Sequence, residues 1–334
     1  MAQLYVNEPT AQISLSGGRF NVRYNDGMNR SLPIESIEGI SLFGPVSITT
    51  QCVTECIKRG IPILYYSLYG AYYGRLSSTT HVHTSRQRKQ SLLYYNDDYR
   101  LQISKNIIRA KIHNQSVVLK RYARNSDAFV NNEIRSMLIC REKISFTNSI
   151  EELMGFEGNA ARNYFAALSH IIIPDFKFKG RSRRPPLDPF NSMLSLGYSI
   201  LMNEVYGAIE THGLNPYFGF VHSDKEKHPT LASDLMEEWR PVIVDSVVLS
   251  MINGHEISKS EFYTDTENPG VFLTKKGFTS FVKKLEKRFS NDHKYLPYID
   301  YSVSFRRGIY KQVGELVKSI DQKDASLYNA CQIR

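Results

Sequence analysis

The chain has 334 residues, 42% of them hydrophobic, and carries 42 Lys and Arg against 33 Asp and Glu, a formal charge of +9. That length suggests two domains, or three, with enough apolar residues for sizeable cores, and the basic excess favours a polyanionic partner. Four scattered cysteines (Cys52, Cys56, Cys140, Cys331) argue against a disulfide scaffold, and the C-x3-C pair lacks the second pair that a zinc site needs. The start MAQLYVNEPT is not a signal peptide, and no apolar run is long enough to span a bilayer, so the expected location is the cytoplasm, with no membrane contact.

Residues 1–85 read as a small β domain, a sheet or a sandwich, and residues 86–334 as a larger all-α domain, which makes the fold α+β with two domains. LYVNEP is a short strand. AQISL and RFNVRY alternate and are joined by Ser16-Gly17-Gly18, a hairpin signal; Asp26-Gly27 marks the next turn, and RSLPIESI and GISLFG follow as strands. The spacing predicts a helix over Thr49–Arg59, capped by Thr49 or Thr50 and stopped at Gly60. IPILYYS reads as a strand buried on both faces, and AYYGRLS as the last strand.

HVHTSRQRKQ is polar and basic and reads as a linker. Helical periodicity then takes over from Ser91, and Arg86–Arg124 holds ten Lys or Arg against two Asp. Such a run is either a solvated helix face or a surface for phosphate. Ser149 and Glu152 have capping-box spacing, and Gly155 and Gly158 bracket Glu157, which places Glu157 at a helix start in a close-packed spot, as a capping acid if taken singly. KFKGRSRR, residues 177–184, carries five basic residues in eight before two prolines and reads as a basic loop. A helix is expected over Asn191–Ile209, another from Leu231 through Asn253, one from Thr274 through Phe289, and a last from near Val303 that includes Arg306, Arg307 and Lys311.

The stretch HSDKEKHPTLASDLMEEWRP, from His222 to Pro241, carries the chemistry. Asp234 with Glu237, and Asp234 with Glu238, have the spacing of one helical face, while Leu231, Leu235, Trp239, Val242 and Val247 form the opposing apolar stripe. Acids this close either offset the helix dipole or share a cation. A histidine beside carboxylates suits a hard metal, magnesium or manganese, with the imidazole tilting the choice toward manganese or zinc. No phosphate-binding loop, dinucleotide fingerprint, H-E-x-x-H motif, nucleophile elbow or internal repeat accompanies it.

GFEGNAARNYF, RRPPLDPFNSMLSLGYSILMNEV, GLNPYFGFVHSDKEKHPTLASDLMEEWRPVIVDSVVLSMING and GVFLTKKG together resemble one family, CRISPR-associated protein one, the metal-dependent endonuclease and integrase of CRISPR adaptation. The resemblance covers nearly the whole chain. It implies a β domain used in dimerisation and partner contact, followed by a helical catalytic domain. It implies a homodimer, two of which join a dimer of CRISPR-associated protein two in a heterohexamer, and double-stranded DNA, prespacer and CRISPR repeat with its leader, as substrate. The family inserts prespacers by attack of their 3′-hydroxyls on repeat phosphodiesters. Its metal ligands fall on Glu157, His222 and Glu237, which would hold Mg2+ or Mn2+, and Asp234 matches a further acidic position beside the site. Arg86, Arg88, Lys89, Arg183 and Arg184 are the candidate DNA-backbone contacts. The competing readings are a plain DNA nuclease using the same site, a DNA-binding scaffold without catalysis, and an iron oxygenase, whose usual ligands are two histidines and one carboxylate, the reverse of this set.

Overall fold

The structure, a computed structural model, describes residues 2–124, 129–265, 269–296 and 299–334. The chain folds as two compact units, Met1–Val82 and His83–Arg334.

The first unit holds β1 (Ala2–Val6), β2 (Gln12–Ser16), β3 (Arg19–Arg23), β4 (Asn29–Pro33), β5 (Ile37–Phe43), β6 (Ser47–Ile48), α1 (Thr50–Arg59), β7 (Ile63–Tyr66) and β8 (Tyr72–Leu76). They form two four-stranded sheets, in the orders β1-β5-β7-β8 and β4-β3-β2-β6. The β2–β3 hairpin turns on Gly17 and Gly18, whose φ of 56° and 70° are what the two-residue connection demands. Val6, Ile13, Phe20, Val22, Ile40, Leu42 and Ile63 from both sheets share one core with Cys52 and Cys56 of α1, so the two cysteines face apolar neighbours as free thiols. The Thr49 hydroxyl caps α1 by accepting from Cys52 N–H, and Gly60, with φ 69°, ends it.

The second unit holds α2 (Thr84–Tyr94), α3 (Asp97–Ala123), α4 (Asn131–Ile144), α5 (Ile150–Ile171), α6 (Pro189–Thr211), α7 (Thr230–Met236), α8 (Ser246–Asn253), α9 (Lys275–Ser290) and α10 (Phe305–Gln322). Two short ribbons, Phe262–Thr264 with Val271–Leu273 and Asp292–His293 with Val303–Ser304, complete it. The turn inside the expected 261–273 segment includes residues 266–268, outside the described residues. α3, about 40 Å long at 1.5 Å per residue, runs through the unit with Ile103, Ile107, Ile108, Ile112, Val118 and Leu119 buried.

Three expectations need correction. The stretch read as a linker is helical from Thr84, because tertiary contacts outweigh its polar composition. Gln90 is fully buried there, donating to Asn215 O and Phe218 O and accepting from Asn215 N–H. Second, α5 runs unbroken through Gly155 and Gly158, so Glu157 lies about two turns inside a helix and caps nothing. Its flanking glycines are open rather than close-packed, with nothing within 4 Å of an added Cβ. Ser149 does cap this helix, accepting from Glu152 N–H, while Glu152 reaches back to Asn148 N–H.

Third, the helix expected from Leu231 through Asn253 is not continuous. α7 ends at Met236, a turn follows, and Arg240–Asp245 winds as a π-helix before α8 begins. Pro241 has no N–H to continue an α-helical ladder, and Ser246 N–H reaches back to Pro241 O, the i→i+5 pattern. Gly197 of α6 makes room for this wider winding, since a Cβ there would collide with Val244 and come within 3.2 Å of Phe281.

Glu237 and Glu238 therefore point apart. Glu238, fully buried, accepts from Tyr328 O–H and Cys331 N–H, both at 2.6 Å. Gln312 extends this network, donating to Tyr328 Oη and Leu235 O and accepting from Trp239 Nε1. Asn114 of α3 closes it, donating to Glu238 O and Cys331 O and accepting from Ile333 N–H. Burial pushes the Glu238 carboxyl up to about 8 in spite of its two donors. Between the ordinary glutamate value, about 4.3, and that raised value, the folded chain keeps a proton that the unfolded chain has released, so stability falls as pH rises across the window. Tyr328→Phe removes one donor from a buried carboxyl. It is expected to lower unfolding free energy by about 1–3 kcal/mol, read from the urea midpoint at unchanged slope; an unchanged midpoint would show the clamp to be unimportant to stability.

Candidate functional site

After α6 the chain returns in an irregular loop that passes over α7. Asp234 of α7 is fully buried beneath it. Its Oδ2 accepts from Phe220 N–H at 2.7 Å and Val221 N–H at 2.9 Å, and its Oδ1 from His222 N–H at 3.2 Å. His222 Nδ1 stands 2.6 Å from the same Oδ1. The loop can lie this low only because residue 219 is glycine, where a Cβ would meet Asp234 Oδ2 and Thr230 Cγ2, each at 2.6 Å. An ionised carboxylate only accepts, so Nδ1 carries the proton and Nε2 is the nitrogen with a lone pair to give. Asp234 thus orients the imidazole in the way that a carboxylate behind a metal-binding histidine does.

The hydrogen bond to Asp234 raises the His222 pKa above its ordinary 6.5, outweighing burial. The sign follows: the stabilisation from this pair is whole below the unfolded value, about 6.5, and is lost as pH rises through the raised folded value. Asp234→Asn turns a donor toward a nest of donors. It is expected to cost about 1–3 kcal/mol of stability and to return the His222 pKa toward its ordinary value in an NMR titration; a His222 titration that stays raised would remove Asp234 as the orienting group.

The other two candidate ligands converge on one ammonium. Lys111 Nζ, on α3, is 2.6 Å from Glu157 Oε1 and 2.7 Å from Glu237 Oε2, with Lys111 only 8% and Glu237 2% exposed. Toward Glu157 the contact is a hydrogen bond; toward Glu237 its angle is too poor, leaving Glu237 Oε2 a buried acceptor without an aligned donor. The other oxygen, Glu237 Oε1, meets Arg240 Nη1 at 2.8 Å. Burial alone would raise the Glu237 carboxyl, but Arg240 and Lys111 outweigh it and hold it down at about 2. Burial likewise acts to discharge Lys111, and Glu237 and Glu157 reverse it, raising its pKa. His222 is close enough to feel both Glu237 and Lys111. Among the described residues no three His, Cys, Asp or Glu side chains are already posed around one ion position. The donor set of two carboxylates and an imidazole Nε2 nevertheless fits a hard divalent cation.

Some residues beside this site escaped sequence reasoning, which sets Asp245 aside as too far along the helix to join the other acids directly. Asp245 accepts from Tyr164 O–H at 2.7 Å and Tyr198 O–H at 2.6 Å, and the guanidinium groups of Arg181 and Arg240 lie over the Tyr198 ring at 5.4 and 5.0 Å. Arg240 was legible as the basic residue three after Glu237. Lys111 left a fainter signal, a charge on the stripe of α3 that otherwise buries Ser104, Ile107, Ile108 and Gln115.

The candidate DNA contacts divide. Arg183 and Arg184 are exposed on the expected irregular loop, and their charges reach Arg181 and His228 beside the site. Arg88 is exposed on α2. Arg86 and Lys89 instead turn onto Asp321, at 3.0 and 3.4 Å, and Arg86 also donates to His212 O, so both are engaged in packing α2 on α10.

The family model described as CRISPR associated protein Cas1 matches residues 4–287. A curated relative from Mycobacterium tuberculosis, named CRISPR-associated endonuclease Cas1, is 38% identical over 323 residues, 96% of this chain and 94% of its own. Among solved structures, a casposase bound to integration product superposes with a TM-score of 0.87 at 23% identity, covering 98% of this chain and 93% of that one. A chain of a Cas6-RT-Cas1–Cas2 complex superposes with a TM-score of 0.84 at 22% identity, covering 99% of this chain, which spans 36% of that longer one. At these identities the two structures speak for the fold, while the family match and the Mycobacterium relative speak for kinship. The chain belongs to the Cas1 family of CRISPR-associated proteins.

Proposed function

We propose that this protein is a metal-dependent DNA endonuclease and integrase of CRISPR adaptation, which joins the 3′-hydroxyl ends of short double-stranded prespacers to phosphodiesters of a CRISPR repeat. The observation that carries the reading is the meeting of Glu157, from α5, and Glu237, from the turn after α7, on one cation beside an imidazole whose Nδ1 is held by Asp234. Glu157, His222 and Glu237 are the residues that would hold Mg2+ or Mn2+. When bound, such an ion offsets the charge that develops on a phosphodiester under attack and lowers the pKa of the attacking hydroxyl.

The chain's own residues supply position. Asp234 fixes the imidazole, and Arg240 anchors Glu237 from the side away from Lys111. Gly155 and Gly158, exposed and without Cβ atoms, leave space beside Glu157 for a DNA backbone. The loop bearing Arg183 and Arg184 offers charge to flanking phosphates without reading bases. A homodimer, joined in pairs to a dimer of CRISPR-associated protein two, is the proposed assembly. Its support is family membership and the likeness to a chain whose complex is named for both proteins. The proposed location is the cytoplasm; no described helix is long and apolar enough to cross a membrane.

Simple hydrolysis of DNA is the second reading, favoured by the name endonuclease on the Mycobacterium relative. The same groups serve both, because water and a 3′-hydroxyl are attackers of one kind. Labelled prespacer mixed with repeat DNA separates them: a joined product is expected, and cleavage without joining would leave only the nuclease. His222→Ala is expected to abolish metal-dependent joining, and retained joining would falsify its assignment. Joining should also weaken as pH drops through the His222 titration, which lies above 6.5, since only the neutral ring has a lone pair for metal. Replacing Arg183 and Arg184 together by alanine is expected to weaken DNA binding and make its logarithmic salt slope shallower by about 1–2; an unaltered slope removes this loop from the footprint.

A further inference from the structure

We infer that Lys111 is a resident counter-cation of the site, which a divalent ion must displace from between Glu157 and Glu237, and that this displacement sets how tightly the protein takes metal before DNA arrives. The inference rests on the ligand assignment proposed above and adds a residue that assignment does not contain.

Glu237, buried, and Glu157, half-buried, carry carboxylates that repel, and without a cation the pair would be forced apart. Lys111 prevents this with full charge, at 2.6 Å from Glu157 Oε1 and 2.7 Å from Glu237 Oε2. A magnesium or manganese ion would need the same oxygens, at about 2.1 Å. A unit positive charge that close to the ion, in a site this poorly solvated, opposes it strongly.

Of the two cations on Glu237, Lys111 is the one able to leave. Arg240 is bound three residues away on the same segment, at 2.8 Å, with its guanidinium over the Tyr198 ring. Lys111 comes from another helix, holds Glu237 at a poor angle, and ends a flexible four-carbon stem. Once displaced, its ammonium remains beside the ion, where the partner of matching charge is a DNA phosphate. Lys111 then couples the two ligands: metal entry frees a cation for phosphate, and phosphate draws that cation off the carboxylates.

The test is Mn2+ binding at equilibrium, followed by the electron paramagnetic resonance of free Mn2+ at about pH 8, where ordinary carboxylates are ionised. It compares wild type, Lys111→Met and Lys111→Gln, each with and without a DNA duplex, with folding checked by circular dichroism. Without DNA, the neutral variants are expected to bind Mn2+ at least about tenfold more tightly than wild type, about 1.4 kcal/mol. Their metal-free forms should melt lower, and Mn2+ should raise their melting temperature more. Duplex DNA should tighten Mn2+ binding in wild type and do so less in the variants. If one variant does not fold, the other carries the comparison. Mn2+ affinity that is unchanged or weaker in the neutral variants overturns the inference and leaves the ligand assignment standing. A wild type that binds no Mn2+ overturns the assignment itself, and the inference with it.

Discussion

The helical unit is arranged around an electrostatic problem, two glutamates withdrawn from water at the meeting of α3, α5 and the segment after α7. Glu237 draws on Arg240 three residues along its own segment, but a cation shared by both glutamates has to be brought from elsewhere in the fold. Lys111 does this from α3, and Arg240 adds a second positive charge on the far side of Glu237. Removing water from charges costs several kcal/mol per ion, which close pairing only roughly offsets. Such a cluster is poor value as a stabilising device. Its presence in the interior is therefore an argument for function.

The break in the helix is what lets adjacent residues serve different ends. On a regular α-helix Glu237 and Glu238 would project about 100° apart on one continuous surface. The turn after Met236 and the π winding from Arg240 send Glu237 to Lys111 and Glu238 to Tyr328 and Cys331. The C-terminal segment is thereby tied to the residue next to the site. Asn114, one helical turn beyond Lys111, holds the same segment through Cys331 and Ile333. The site and the chain's last residues share two of their supports, which is why Tyr328, Cys331 and Ile333 are buried in a tail with few residues of its own in regular structure.

Most of the architecture was legible. Alternation and glycine turns located the strands, and caps at Thr49, Ser149 and Thr274 located the helices, because these signals are local and backbone-driven. Three things were not. The 84–90 helix is polar because its partners, Asp321 and the 215–218 backbone, are themselves polar, so composition alone resembles a linker. Two glycines around Glu157 look like a break, yet an exposed helix tolerates them at about 1 kcal/mol each. The π stretch follows from Pro241 only once a neighbouring helix has a glycine to receive it. Within the site, spacing alone singled out His222, Asp234 and Glu237 as a candidate cation cluster, and the resemblance added Glu157 and gave Glu157, His222 and Glu237 as the ligands. Lys111 lies outside every quoted motif, and its role depends on a contact between residues 46 and more positions apart.

Net charge is a weaker guide to the DNA footprint than it first looks. The basic run from Arg86 to Arg124 reads as one long cationic face, yet five of its members turn inward. Arg86 and Lys89 meet Asp321, Arg100 donates to Phe220 O, Lys105 to Ser145 O, and Lys111 holds the glutamates. Arg306, on α10, is likewise enclosed between Glu204 and Glu286. A phosphate contributes to binding through the counterions it releases, and a cation already paired inside the protein releases few. The charges that would remain for DNA are those with no carboxylate partner among the described residues. Of the five candidates these are Arg88, Arg183 and Arg184, and the last two stand on the loop whose charge is felt at Arg181 and His228, beside the proposed metal ligands. The proposed footprint and the proposed site then share one region of the helical unit, as strand transfer at a particular phosphodiester would require: groups that hold the backbone must sit within a few nucleotides of groups that act on it.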